Sequence, residues 1–115
     1  MIRLLRALLV AISVVPAHVV AQDYPNRPIR FVVPASPGGG AGFFAHIVSK
    51  RMTEILGQPL WLDFKPGGNG IIGTDLVAKA PGDGYTLLAG NNGPLSILPV
   101  LAKTLPYNPI KDFVP

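Results

Sequence analysis

Three times along the chain a short apolar run leads into a glycine- or asparagine-rich turn and then into a stretch with helical spacing. The runs are residues 29–33 (Ile-Arg-Phe-Val-Val), 60–64 (Leu-Trp-Leu-Asp-Phe) and 85–89 (Tyr-Thr-Leu-Leu-Ala). The turns are 34–40, 66–70 and 90–93. Short runs rich in branched and aromatic residues, bounded by Gly and Pro, read as buried strands. The order β-α-β-α-β-α predicts an α/β fold with three parallel strands and flanking helices. Right-handed crossovers bring the C-terminal ends of all three strands, and so all three turns, to one sheet edge. Open α/β sheets bind their ligands at that edge.

In the first helical stretch, 41–56, the spacing places Phe44, Ile47, Val48, Met52 and Ile55 on one side. His46, Ser49, Lys50, Thr53 and Glu54 fall on the other, which makes His46 a solvated histidine, and Gly57 is a natural stop. The second stretch, 71–80, carries Ile72, Leu76, Val77 and Ala80 at helical spacing, with Asn69 as candidate N-cap. A third, short helical stretch is expected near 95–102, followed by loop at 106–109. Asp83, in Pro-Gly-Asp-Gly, reads as a turn residue.

Residues 1–21 read as a secretory signal peptide. Arg3 and Arg6 precede an apolar core, Pro16 breaks it, and Val19-Val20-Ala21 marks a cut before Gln22. The apolar core is too short for a spanning helix, which takes about 20 residues. The expected mature chain, 22–115, is then exported. It reads as the N-terminal piece of something larger, because three parallel strands leave two sheet edges open.

The chain has no cysteine, which excludes disulfides, thiol catalysis and Cys-ligated metals. With two histidines a metal cage is not expected either. Apolar residues make up 49% of the chain, which argues for a packed core despite 13 glycines and 13 prolines. Without the leader's two arginines, eight basic residues face six acidic ones. No basic cluster remains, so nucleic acid is not an expected partner. No Ser–His–carboxylate set or carboxylate pair stands out, so catalysis is not expected. Trp61 and Phe64 read as core or sheet-face residues.

The first turn, Ser36-Pro37-Gly38-Gly39-Gly40, lets backbone N–H groups at a helix start approach an anion. No Gly-Lys-Ser/Thr follows, so it is not a P-loop. It does hold a G-x-G-x-x-A match through Gly40, Gly42 and Ala45, with Asp63 near the end of the second run. A dinucleotide-binding oxidoreductase fragment is therefore one alternative. A nonfunctional truncated remnant is another.

One series of motifs runs through the whole expected mature chain. It comprises Tyr24-Pro25-Asn26-Arg27-Pro28-Ile29, Pro37-Gly38-Gly39-Gly40, Lys65-Pro66-Gly67-Gly68-Asn69-Gly70, Pro81-Gly82-Asp83-Gly84-Tyr85-Thr86-Leu87-Leu88 and Leu105-Pro106-Tyr107-Asn108-Pro109. This series resembles the substrate-binding proteins of tripartite tricarboxylate transporters, also called the Bug family. The resemblance implies a periplasmic receptor with a type II periplasmic binding protein-like fold, of which this chain is part of the first lobe. The rest of that lobe and the second lobe would be missing.

It further implies a small carboxylate solute as ligand, membrane permease subunits as partners, no cofactor and no enzymatic activity. Carried over by position, Gly39, Gly40 and Ala41 in the first turn and Asn91, Asn92 and Ser96 after the third strand are the expected ligand contacts. The chain departs from the family pattern at four places. Ala41 and Gly42 stand where Thr and Asp are usual, His46 where Arg is usual, and Leu98 where Asn is frequent.

Overall fold

A computed structural model describes residues 23–115 of the chain, so the expected signal peptide lies outside the described residues. Three strands, β1 (Ile29–Val33), β2 (Leu60–Phe64) and β3 (Thr86–Leu88), form one parallel sheet in the order β2-β1-β3. The expected fold class is thus observed. Ile29 pairs with Leu60 through to Val33 with Phe64 on one side of β1. Arg30 pairs with Thr86 through to Val32 with Leu88 on the other. β1 takes the centre because it is the run that tolerates burial on both faces: Ile29, Val32 and Val33 are completely inaccessible. The third strand is shorter than expected. Its flanks still pair, since Arg30 N–H donates to Tyr85 O and Ala89 N–H donates to Val32 O, both within 2.9 Å.

Helix α1 (Gly40–Leu56) joins β1 to β2, and α2 (Ile71–Ala78) joins β2 to β3 by crossing behind β1. Right-handed crossovers that run in opposite directions place the two helices on opposite faces of the sheet. Ile29, Phe31, Val33 and Leu60 build the core beneath α1 with Ala45, Met52 and Leu56. Val32 turns to the other face, where α2 lies against β1 and β3.

The expected inner face of α1 is not the one observed. Gly42, Ala45 and Ser49 are buried and Met52 and Leu56 half-buried, whereas Phe44 and Ile55 are each 67% exposed and Ile47 and Val48 are also exposed. Both stripes have helical spacing; the small-residue stripe wins because it lets the helix backbone approach the sheet closely. Gly57 ends α1 as expected, in the left-handed conformation, with its N–H bonded to Thr53 O.

In α2 the buried residues are Gly73 and Thr74, while Ile72 is exposed. Asn69 does not cap this helix: Gly70 does, and Asn69 itself is left-handed inside a tight 3₁₀ turn, Gly68–Gly70. The expected third helical stretch is a wide π-type turn, Gly93–Ile97, running into a single helical turn, α3 (Leu98–Leu101).

Candidate functional site at the strand ends

Strand order decides where a ligand can enter. The chain leaves β1 toward β2, then returns across β1 to β3, so the connections diverge between the C-terminal ends of β1 and β3. Such a switch point opens a crevice, and the loops on its two sides are 34–39 and 89–92.

The first loop runs into the N-terminus of α1. Gly39 caps the helix with extended backbone and no side chain, and the first turn holds no acidic residue. The first intrahelical bond is Phe43 N–H to Gly39 O at 3.1 Å, so the N–H groups of Gly40, Ala41 and Gly42 precede it. Gly39, Gly40 and Ala41 are exposed. Around a side chain built on Gly38 or Gly40 there is open space, and neither has a positive φ. Nothing among the described residues therefore demands glycine at these two positions, and what their lack of side chains leaves bare is backbone. Gly42 differs. A Cβ there would stand 2.3 Å from Pro37 O, with the Phe64 ring behind it. The position where the resemblance leads one to expect Asp is thus closed by the loop itself. His46 is exposed, 6.0 Å from the Phe64 ring between centroids.

On the other side of the crevice, Asn91 Oδ1 accepts the Gly93 N–H at 3.1 Å and shapes the turn. Its carboxamide nitrogen has no protein partner among the described residues. Asn92 and Ser96 are exposed and carry uncharged donors. The third loop is anchored from below, where buried Tyr107 donates its hydroxyl to Pro94 O at 2.7 Å. Burial and the nearby Asp75 charge push the Tyr107 hydroxyl pKa above its usual 10.0.

The second glycine turn is the brace that sequence reasoning missed. Gly67, Gly68, Asn69 and Gly70 all have positive φ. A Cβ on Gly70 would lie 3.1 Å from the Pro94 ring and 3.6 Å from Pro34 O. Gly73, one turn on, would clash with Pro34 and with Lys65 O at 3.0 Å or less. The second loop is thereby wedged between the first and the third, and only a chain without side chains fits the gap. Asn among three glycines, a residue that tolerates the left-handed region, is the signal that could have shown it.

Asp63 sits lower on β2. Its Oδ2 accepts hydrogen bonds from Arg30 Nε and Nη2, and its Oδ1 lies 3.3 Å from Lys65 Nζ. Burial pushes its carboxyl up, but hydrogen bonds and charge from Arg30 and Lys65 outweigh that and hold it below the usual carboxylate value. A carboxylate so engaged is not free for a ribose, and Gly40 and Gly42 lie within α1. The dinucleotide alternative therefore has no support in the geometry.

A trough of about 990 Å³ runs along β3 and reaches Gly90 of the third turn, and a hollow of about 350 Å³ lies beside residues 99–110. None of Gly39, Gly40, Ala41, Asn91, Asn92 or Ser96 lines either of them. The strand-end site is an open shelf.

Comparison with known proteins settles the family. The profile of the tripartite tricarboxylate transporter family receptor matches residues 44–115. The chain belongs to this receptor family. A UPF0065 protein of Bordetella bronchiseptica is 46% identical over 112 residues, 97% of this chain and 33% of the relative. Among solved structures, MatC from Rhodopseudomonas palustris with bound malate superposes with a TM-score of 0.76 at 35% identity, over 80% of this chain and 31% of that one. An R. palustris protein with adipate gives 0.73 at 34% identity, over 76% and 29%. The receptor chain described here thus spans about a third of the length of its relatives. Its three parallel strands are one part of a periplasmic binding protein fold.

Proposed function

We propose that this receptor chain supplies the ligand-facing loops of the first lobe of a periplasmic solute receptor that binds a small carboxylate without chemistry. The observation that carries this reading is that two structural neighbours at 34–35% identity hold dicarboxylates, malate and adipate. The local chemistry agrees. Bare N–H groups at the start of α1 face a carboxylate favourably, and the helix dipole adds to the attraction. Uncharged donors of Asn91, Asn92 and Ser96 stand across the switch point. An anion held by amides and waters rather than by Lys or Arg can be released again to a membrane permease. Delivery to permease subunits, export and leader removal before Gln22 belong to the same reading.

Titrating the chain with malate and with adipate, read by amide chemical shifts, tests it. Shifts at Gly39, Gly40, Ala41, Asn91 and Asn92 are expected, at millimolar ligand because an open shelf desolvates little of it. The double substitution Asn91→Ala with Ser96→Ala weakens the response roughly tenfold, by loss of two side-chain hydrogen bonds. Shifts confined to other regions, or an unchanged titration in the double variant, would sink the assignment.

A further inference from the structure

The motif Leu105-Pro106-Tyr107-Asn108-Pro109 lies outside the strand-end shelf, yet its loop is closely tied together. Asn108 Oδ1 accepts the Ile110 and Lys111 N–H groups at 2.9 and 3.0 Å. The Asn108 N–H donates to Asp112 Oδ2 at 2.6 Å. Side-chain bonds of this kind stand in for ladder or helix bonds and fix the shape of a loop. The turn brings Phe113 back against Tyr107, edge to face, with 6.2 Å between ring centroids.

Tyr107 is the buried member of this loop, 6% exposed, and its hydroxyl donates to Pro94 O at 2.7 Å. Burial, with the Asp75 charge nearby, keeps the proton on that hydroxyl, so it remains a donor. Pro94 is buried too and directly follows the turn that holds Asn91 and Asn92. Its ring lies against Gly70, where a Cβ would stand 3.1 Å from it and 3.6 Å from Pro34 O. Pro34 opens the first ligand loop. A column of contacts thus runs Tyr107–Pro94–Gly70–Pro34, through the third and second turns to the first. Each joint is stiff: a buried hydroxyl on a carbonyl, a proline ring with fixed φ, a glycine packed without a side chain.

We propose that Tyr107 is a positioning residue for the ligand shelf: by holding Pro94 it fixes the third loop against the second, and through Gly70 and Pro34 it sets the width of the crevice between loops 34–39 and 89–92. The proposal rests on the carboxylate reading for what the crevice holds, whereas the column itself is a property of the ligand-free chain. Phenylalanine separates this role from plain packing. It keeps the ring, its volume and the edge contact with Phe113, and it loses only the O–H that reaches Pro94 O. A side chain that merely fills the core would tolerate that exchange with no response at the shelf.

The test compares Tyr107→Phe with the parent chain by amide chemical shifts and residue-resolved hydrogen exchange, first without ligand and then with malate. Without ligand, the Gly93 N–H, held on Asn91 Oδ1, should exchange about tenfold faster in the variant. Amide shifts should move at Gly70 and Ala35, while the Gly57 N–H, bonded to Thr53 O at the far end of α1, stays unchanged. With malate, the concentration for half-maximal shift at Gly39, Gly40 and Ala41 should rise about fivefold, the worth of one hydrogen bond. Tyr85→Leu, which loosens the opposite end of β3, should leave that concentration as it is. Retained protection at Val32 shows that Tyr107→Phe folds. If it does not fold, Phe113→Leu, which frees the Tyr107 ring from outside, carries the same test with a smaller response. Unchanged exchange at Gly93 with unchanged shifts at Gly70 and Ala35 in the folded variant overturns the proposal, whatever malate does. An equal malate effect in Tyr85→Leu overturns it as well, since general loosening would then suffice. Changes at Gly93, Gly70 and Ala35 with no malate response in either chain support the positioning and sink the carboxylate reading.

Discussion

Gly42 shows how far one hydrogen in place of a side chain can shape a site. Its Cβ would meet Pro37 O at 2.3 Å, so Gly42→Ala must push the first loop away from α1. A loss of about 1–3 kcal/mol in denaturant unfolding is expected, the usual cost of overpacking. Gly40→Ala, in open space at the helix start, should leave stability the same or raise it by up to about 1 kcal/mol. Equal effects from the two substitutions would refute the distinction between a steric glycine and a merely bare one. Asp63 makes a prediction in pH. Its native pKa lies below the ordinary 3.8, so its ion pairs contribute fully above that value. The contribution disappears as pH falls through the lower native pKa. Stability of Asp63→Asn should therefore be lower than that of the parent at pH 7, and the gap should close in strong acid. With the Asp63 side chain only 13% exposed, added salt should close little of it at pH 7.

At the scale of elements, α1 illustrates what sequence could and could not show. Its existence and its end at Gly57 follow from spacing and from the left-handed preference of glycine. Its orientation does not, because two stripes compete: Phe44, Ile47, Val48 and Ile55 have the larger transfer energy, and Gly42, Ala45 and Ser49 the closer fit. Which wins depends on the height of the sheet surface, a tertiary quantity absent from any local pattern. Phe44→Ser should accordingly change stability by less than about 0.5 kcal/mol, as surface substitutions do. Ala45→Leu, at a position only 3% exposed, should cost about 1–3 kcal/mol. The opposite ranking in a thermal melt would restore the face expected from spacing. The three turns were legible as strand-end loops, since topology alone puts them on one edge. The bracing role of the second was not, because it depends on which loops flank it once β1 takes the centre. That placement in turn reflects burial on both faces of Ile29–Val33.

Across the whole molecule, the segment before β1 is tied to the turn before β3. Tyr24 donates its hydroxyl to Gly84 O at 2.6 Å and packs edge-on against Tyr85. The Arg27 guanidinium lies 4.2 Å from the Tyr85 ring centroid and pairs with Asp83. Asn26 exchanges hydrogen bonds with the Tyr85 hydroxyl through both backbone and side chain. One aromatic ring thus gathers four contacts from a strap of exposed residues. Tyr85→Leu should free the strap, with hydrogen exchange at the Asn26 N–H, which loses its acceptor on the Tyr85 hydroxyl, accelerated several-fold while β1 stays protected. Exchange at an unchanged rate would show that the strap is held elsewhere.

The strand order has a consequence in time. β1 is the first strand to be synthesised and the last to be enclosed, because its second neighbour, β3, lies about fifty residues further along the chain. At ~5–20 residues per second, the ribosome leaves this central strand half-bare for several seconds. During that interval Ile-Arg-Phe-Val-Val is available to any holding factor, and the sheet cannot close. A chain arranged this way stays threadable until β3 has been made.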